Sequence, residues 1–347
     1  MGDTRLKVGP SPHIRSGDDI SKIMWSVVIS LLPAFGGVLY YFGWYAGLIV
    51  LVSVLSAVAT EYVCERIRGV PITVSDGSAV VTGVLLAFVL PPNVPIYIPI
   101  LGGIFAIAVA KHAFGGLGCN IWNPALAARA FLLASYPGYI VMSKWPILNK
   151  FLFGNINSSV DITTSATPLY ILKNAPTEFQ KIYSIKDLIL GSVPGSLGET
   201  SALLLTIGAA YLIIKKYVNW RLPIAYILTV ALLAVFLPYK SGGSLIGFWQ
   251  PSFFSNPSGL LFRAVSHVFS GGLILGAFFM ATDMVTSPLT SKGQVVFGIG
   301  CGILTAIIRL YGGYPEGVCY SILIMNTFVW VIDRYTRPRL FGGKSSN

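Results

Sequence analysis

Between Gly195 and Ser201 the chain hands a hydroxyl to the start of a long apolar run. The stretch reads Gly195-Ser196-Leu197-Gly198-Glu199-Thr200-Ser201 and follows Pro194. By backbone physics it is a helix entry, with Thr200 or Ser201 as the cap and Glu199 favoured by the positive helix end. A second chemically loaded stretch is Met280-Ala281-Thr282-Asp283-Met284-Val285-Thr286-Ser287-Pro288, in which an acid stands toward the end of an apolar segment. An acid inside a membrane span is costly enough to be read as functional. Cation coupling through Asp283 and Thr282 is one reading; a helix-end cap, or a salt bridge to Arg129 or Lys292, is the other. Arg129 also lies within an apolar segment, after Asn120-Ile121-Trp122-Asn123-Pro124. A buried guanidinium needs an anion, either a bound ligand or a carboxylate such as Asp283.

The remaining reactive types carry weaker patterns. Glu61 and Glu65 are one helical turn apart and would make a cation-attracting mouth or, beside Arg66 and Arg68, a solvated helix end. His112 and His267 have no partner at metal-ligand spacing, so no metal is assigned to them. Cys64, Cys119, Cys301 and Cys319 lie in or beside apolar segments without a CxxC spacing and read as structural thiols.

The elements that position these residues follow from composition. Apolar residues make up 54% of the chain and charged residues 11%, more apolar surface than a soluble domain can hide. Runs long enough for membrane segments lie near residues 24–42, 45–63, 78–91, 96–113, 122–139, 201–217, 222–238, 265–285, 294–310 and 315–332. The expected fold class is therefore an all-α polytopic membrane protein with about ten transmembrane helices. Breaks at Pro91-Pro92-Asn93-Val94-Pro95 and at Asn123-Pro124 predict that some helices are broken or re-entrant.

The formal charge of +11 reflects orientation in a membrane rather than nucleic-acid binding, because no soluble basic module is present. Lysine and arginine gather at Arg66 and Arg68, at Lys111, at Lys215, Lys216 and Arg221, at Lys292, and at Arg334, Arg337, Arg339 and Lys344. That pattern predicts both termini in the cytoplasm. The polar start, with hydrophobicity beginning near Ile23, predicts no cleavable signal peptide. The expected organisation is a cytoplasmic segment 1–22, a first transmembrane half 23–142, an external insert 143–199, a second transmembrane half 200–333 and a cytoplasmic tail 334–347. The insert is too long for an ordinary connector and is expected to dock a partner subunit, with a short helix around Leu169 to Leu172.

The two halves share an ordered similarity. Each passes from a glycine-rich helix (Thr82 to Phe88; Gly272 to Phe278) through a polar break and another helix to a Gly-Gly turn (Gly115 to Cys119; Gly312 to Cys319). In the predicted topology these turns face opposite sides, the mark of two inverted five-helix repeats. Such a fold would also suit a solute channel or secondary transporter.

Gly198-Glu199-Thr200-Ser201, Ser11-Pro12-His13-Ile14-Arg15 and Ala281-Thr282-Asp283 together resemble the RnfD/NqrB family, over nearly the whole chain. The resemblance implies a membrane subunit of an electron-transport complex that passes electrons between ferredoxin and NAD, coupled to Na⁺ or H⁺ translocation. Such a subunit has no turnover alone. In that family the threonine of this motif carries FMN through a phosphoester bond, installed by a flavin transferase. Thr200 would be the acceptor here, with Ser201 the alternative and Glu199 beside it. The resemblance also implies a noncovalent flavin, riboflavin, within the membrane domain, and Trp122, Asn123 and Arg129 are the residues expected to wall it. Family members usually read Asp-Pro-Val where this chain has Asp283-Met284-Val285, which keeps the carboxylate. The implied partners are RnfA, RnfB, RnfC, RnfE and RnfG, in a bacterial or archaeal cytoplasmic (inner) membrane. Only about 22 residues precede the first apolar run, which favours the RnfD branch over the NqrB subunit of the sodium-pumping NADH:quinone oxidoreductase, whose chains start with a longer polar segment.

Overall fold

The computed structural model describes residues 18–141, 167–174, 179, 182–191, 193–199, 201–241, 244–246, 257–314 and 316–337. Thr200, most of the segment 1–22, much of the insert and most of the tail 334–347 lie outside the described residues.

Each apolar run forms a helix where local chemistry allows one to start and stop. Helices α1 (Ile20–Phe42) and α2 (Trp44–Arg68) are joined by Gly43 alone, whose φ of 78° only glycine adopts at little cost. The helix α3 (Ser78–Phe88) stops ahead of Pro91 and Pro92, and α4 (Tyr97–Ile104) runs on through a π-turn, Phe105–Val109. The side chain of Asn123 accepts from Ala125 N and Leu126 N to start α5 (Pro124–Ser135), with proline at the first position, where its missing N–H costs nothing. In the insert, α6 (Pro168–Asn174) covers the helix expected around Leu169, and a Ser184–Asp187 capping box opens α7 (Ile185–Leu190).

The second half holds α8 (Ala202–Ile214), capped by Ser201, and α9 (Arg221–Phe236). A two-stranded antiparallel hairpin, Tyr239–Ser241 with Ser244–Ile246, is the one departure from helix among the described residues. Then come α10 (Pro257–Phe269), α11 (Leu273–Leu275) with a π-turn at Gly276–Met280, α12 (Ser291–Tyr311), α13 (Val318–Thr327) and α14 (Val329–Thr336).

Among the described residues the fold is all-helical apart from that hairpin, but their helix lengths do not give ten complete spans. Four of the described helical stretches, at Ile20–Phe42, Trp44–Arg68, Tyr97–Phe114 and Ser291–Tyr311, are long and apolar enough to cross a membrane. A fifth candidate is Ser258–Phe269 with Leu273–Met280, bent by 62°. The apolar helices Ser78–Phe88, Pro124–Ser135, Ala202–Ile214, Arg221–Phe236 and Val318–Thr327 are shorter, below the roughly 17–25 residues of a simple crossing. The eighth expected segment, 265–285, is where sequence and structure differ most: its helix starts at Pro257 and breaks at Ser270-Gly271-Gly272, with Gly271 at φ 73°. Arg309 secures the break, donating to the carbonyls of His267 and Ser270 that the bend frees.

Between helices in lipid, association rests on close packing and interhelical hydrogen bonds more than on hydrophobic transfer. Glycines supply the closeness: a Cβ at Gly83 would lie 2.6 Å from Val54 Cα and one at Gly298 2.7 Å from the Leu222 carbonyl oxygen. At Gly208 a Cβ would strike the Ser30 carbonyl oxygen, so α8 lies directly against α1. Hydroxyls supply the bonds. Tyr226 Oη contacts Thr305 Oγ1 at 2.7 Å and Ser321 Oγ at 3.0 Å, Thr305 and Ser321 meet at 2.7 Å, and Ser321 Oγ donates to the Val318 carbonyl at 2.8 Å. This trio joins α9, α12 and α13 at the centre of the second half.

Candidate functional site

Arg129 projects from α5 into the turn between α12 and α13, where it pairs with Glu316. Its anion is thus Glu316 and not Asp283. The reason lies in the helix: Asn123, at the start of α5, donates to the Met280 carbonyl at 3.3 Å and fixes the Asp283 segment there. Arg129 is six residues further on, about 9 Å along the axis at 1.5 Å per residue. The charges of Glu316 and Arg129 both act on the carboxyl of Glu199, and Ser196 Oγ donates to Glu199 Oε1 at 2.7 Å. Glycine at 195 makes room, since a Cβ there would lie 2.7 Å from Glu199 Oε2. Burial, together with the charge and hydrogen bond of Glu316, holds the Glu199 carboxyl, in the turn ahead of α8, well above the usual carboxylate range. Lys173 of α6 donates to the Gly312 carbonyl, and Tyr41 Oη of α1 donates to the Leu190 carbonyl at 2.9 Å, so the described helices of the insert are tied to this end of the bundle.

A pocket opens at the other end of α5. Its lining includes Lys111, Asn120, Asn123, Thr282 and Asp283, set among apolar side chains such as Phe278 and Leu212. Asp283 accepts from Thr286 Oγ1 at 3.1 Å and from Val285 N at 3.4 Å, while Thr282 Oγ1 donates to the Phe278 carbonyl at 2.6 Å. The structure therefore brings Asn123, Thr282 and Asp283 together. Trp122 is elsewhere, half-buried, with Nε1 donating to Thr327 Oγ1 at 3.0 Å and its ring edge-on to Phe114. Arg129 faces the acid pair rather than this pocket.

Behind the pocket, Lys111 donates to Glu61 and, at 2.6 Å, to Ser78 Oγ. Glu61 and Glu65 are only 1% and 2% exposed, which overturns the solvated helix end expected from the nearby arginines. The Gly69 turn folds the chain back over α2, so Thr73 donates to Glu65 through both N and Oγ1. His112 completes a group in which ligand atoms of Glu61, Glu65 and His112 lie within 4.8 Å of one another, a set able to hold a metal ion. Spacing along the chain missed it because the carboxylates and the imidazole come from different elements. Among the described residues, Lys111 balances Glu61, whereas Glu65 is met only by the neutral N–H and hydroxyl of Thr73. His267 is buried on α10 and is not part of it. The four cysteines are free thiols, and Cys319 Sγ donates to the Leu126 carbonyl at 3.4 Å, bridging α13 and α5.

Of these residues, Glu316 is the one that sequence reasoning passed over. The available signal was an acid directly ahead of an apolar run, after Gly-Gly-Tyr-Pro, in a chain poor in acids.

The family model described as NQR2, RnfD, RnfE matches residues 7–342. The chain belongs to the NQR2, RnfD, RnfE family. Among curated family members, it is 47% identical over 344 residues to the D subunit of the Na⁺-translocating ferredoxin:NAD⁺ oxidoreductase complex of Acetobacterium woodii, covering 99% of this chain and 97% of that one. It is 45% identical over 353 residues to the D subunit of the proton-translocating ferredoxin:NAD⁺ oxidoreductase complex of Clostridium ljungdahlii, covering 99% of both chains. The D subunit of an ion-translocating oxidoreductase complex of Methanosarcina acetivorans is 33% identical over 341 residues, covering 98% of both.

Proposed function

We propose that this chain is the D-type subunit of an ion-translocating ferredoxin:NAD⁺ oxidoreductase complex, active in electron and cation transfer only together with its partner subunits. The carrying observation is the match over nearly its full length to two family members so named, at 45% and 47% identity. One of them is named for Na⁺ and the other for protons, so the name of the cation does not transfer with the family.

In this reading Thr200 carries FMN through a phosphoester bond. Gly198-Glu199-Thr200-Ser201 supports it, and so does the position of Ser201, whose buried Oγ accepts from Leu204 N at 3.3 Å as the cap of α8. Both favour Thr200 over Ser201 as the acceptor that the family resemblance implies. A covalent tether keeps an electron carrier at one place without relying on pocket affinity, while protein groups tune its potential. A second, noncovalent flavin is assigned to the pocket at the start of α5. A few convergent polar groups, Lys111, Asn120, Asn123, Thr282 and Asp283, within apolar walls suit a ring with polar edges.

The finer architecture proposed is ten membrane-embedded segments in two inverted sets of five, with both termini in the cytoplasm and the insert outside. Packing supports the repeat: α2 lies on α4 as α9 lies on α12, α4 on α5 as α12 on α13, and the sets meet through α1 on α8 and α5 on α13.

The test uses the purified complex. On a denaturing gel the subunit should fluoresce, and the peptide from Gly195 to Lys215 should carry the added mass of FMN on Thr200. Thr200→Ala should lose both signals while still assembling; an unmodified Thr200 in flavin-replete wild-type complex would sink the assignment.

A further inference from the structure

Behind the pocket, side chains from two elements turn coordinating atoms toward one point. Glu61 and Glu65 stand one turn apart on α2, and His112 follows the π-turn after α4. All three are buried, the His112 side chain to 7% exposure. Two of their atoms are left over. Glu61 Oε1 takes the Lys111 ammonium, but Glu61 Oε2 is buried and, among the described residues, has no hydrogen-bond partner. The same holds for His112 Nε2, which lies 3.7 Å from Glu61 Oε1. A buried carboxylate oxygen and a buried imidazole nitrogen each cost free energy when nothing meets them. A cation held between them meets both.

Charge and donor type decide which cation. Lys111 offsets one of the two carboxylates, and the Thr73 groups on Glu65 are neutral. One negative charge remains, and the carbonyl ends of α2 and of the π-turn after α4 add partial negative charge around it. Arg68, the other nearby cation, is exposed, with Nη1 3.4 Å from His112 Nδ1 and from the His112 carbonyl oxygen. An imidazole ligand disfavours Mg²⁺ and Ca²⁺, hard ions that take oxygen, and suits zinc and its first-row neighbours.

We propose that Glu61, Glu65 and His112 form a binding site for a divalent transition-metal ion of the zinc type, with Glu61 Oε2, one Glu65 oxygen and His112 Nε2 as ligands. Lys111 and Thr73 already orient the two carboxylates, as outer partners orient metal ligands. Ligation through Nε2 places the ring proton on Nδ1, so Arg68 then keeps only the His112 carbonyl. Bonds of about 2.1 Å to a tetrahedral ion set ligand atoms about 3.4 Å apart. The three ligand atoms lie within 4.8 Å of one another, so binding draws them together and pins the end of α2 to the end of α4. Three protein ligands leave the fourth position to water. The ion shares Glu61 with Lys111, which lines the pocket, and so sets a fixed positive charge behind the pocket wall.

The experiment is zinc binding by the purified complex. The complex is stripped with a chelator, reloaded at a series of buffered Zn²⁺ concentrations with sodium and magnesium in excess, desalted, and assayed for zinc by mass spectrometry. Zinc held by other subunits counts equally in wild type and variants, so the difference isolates this site. Wild type should hold one zinc more than His112→Ala. Glu65→Gln should weaken that ion by more than about 100-fold, beyond the cost of losing an outer partner. Cys119→Ser, which removes the exposed thiol of the adjoining turn, should keep it. Equal zinc in wild type and His112→Ala overturns the proposal, as does displacement of the ion by sodium or magnesium or its loss in Cys119→Ser. Should His112→Ala fail to assemble, Glu65→Gln provides the same comparison, and an unchanged affinity there overturns the site. Zinc should also raise the thermal unfolding midpoint of stripped wild-type complex more than that of Glu65→Gln, and equal shifts count against the proposal.

Discussion

At the scale of single residues, the chain buries charge in matched sets. Lys111 and Glu61 are 2% and 1% exposed, and neither would be tolerated without the other. Removing one partner of a buried pair leaves an uncompensated charge at about 3–5 kcal/mol, whereas replacing both by neutral groups of similar volume is often close to neutral. Lys111→Met should therefore lower the thermal unfolding midpoint of the purified complex sharply, and Lys111→Met with Glu61→Gln should recover most of the loss. A double variant as unstable as the single would show that Lys111 contributes through something other than this charge. Arg129 and Glu316 form a second such pair.

At the scale of elements, helix contact is governed by where side chains are missing. Gly208 lets α8 lie on the backbone of α1 at Ser30, whereas a Cβ at Gly36, on α1, would meet nothing within 4 Å. Gly208→Ala should cost about 1–3 kcal/mol, the usual range for overpacking. Gly36→Ala should be neutral or gain up to about 1 kcal/mol from helix propensity. Thermal melts of the two variants side by side make the comparison, and equal effects would contradict the packing account. These contacts also explain what sequence could not reveal about the elements. Hydrophobic runs located the helices because the length and polarity of each run are local properties. The 62° bend ahead of α11 was hidden because it depends on Arg309, which reaches the freed carbonyls from another helix. For the same reason Arg129 was legible as a residue in need of an anion, while its partner Glu316, 187 positions away, was not.

At the scale of the whole molecule, the distribution of basic residues predicts how the bundle sits in its membrane. Arg66 and Arg68 close α2, Lys215 and Lys216 follow α8, and Arg221 opens α9. Charge bias of this kind sets orientation. A fluorescent protein fused after Asn347 should be bright, and alkaline phosphatase inserted near Ser159 should be active, because the first folds only inside and the second only outside. A dark C-terminal fusion combined with an inactive insert fusion would invert the topology. Membrane character and family were legible from the sequence because they rest on composition and short motifs. The Arg129–Glu316 pair and the Glu61–Glu65–His112 group were not, because each is assembled from segments far apart in the chain.

The hydroxyls of Tyr226, Thr305 and Ser321 have a further consequence, since each owns a single hydrogen. Ser321 spends its hydrogen on the Val318 carbonyl, so it can only receive from the other two. Thr305 must then give to Ser321, and Tyr226 to one of them, which makes the trio a one-way street beginning at the phenol. Direction creates unequal vulnerability. Tyr226→Phe removes the first giver and strands no donor, a loss of about 0.5–1.5 kcal/mol, whereas Ser321→Ala leaves the Thr305 hydroxyl aimed at nothing, adding a desolvation penalty of about 1–3 kcal/mol. If thermal melts rank the two substitutions in the opposite order, the hydrogens run the other way.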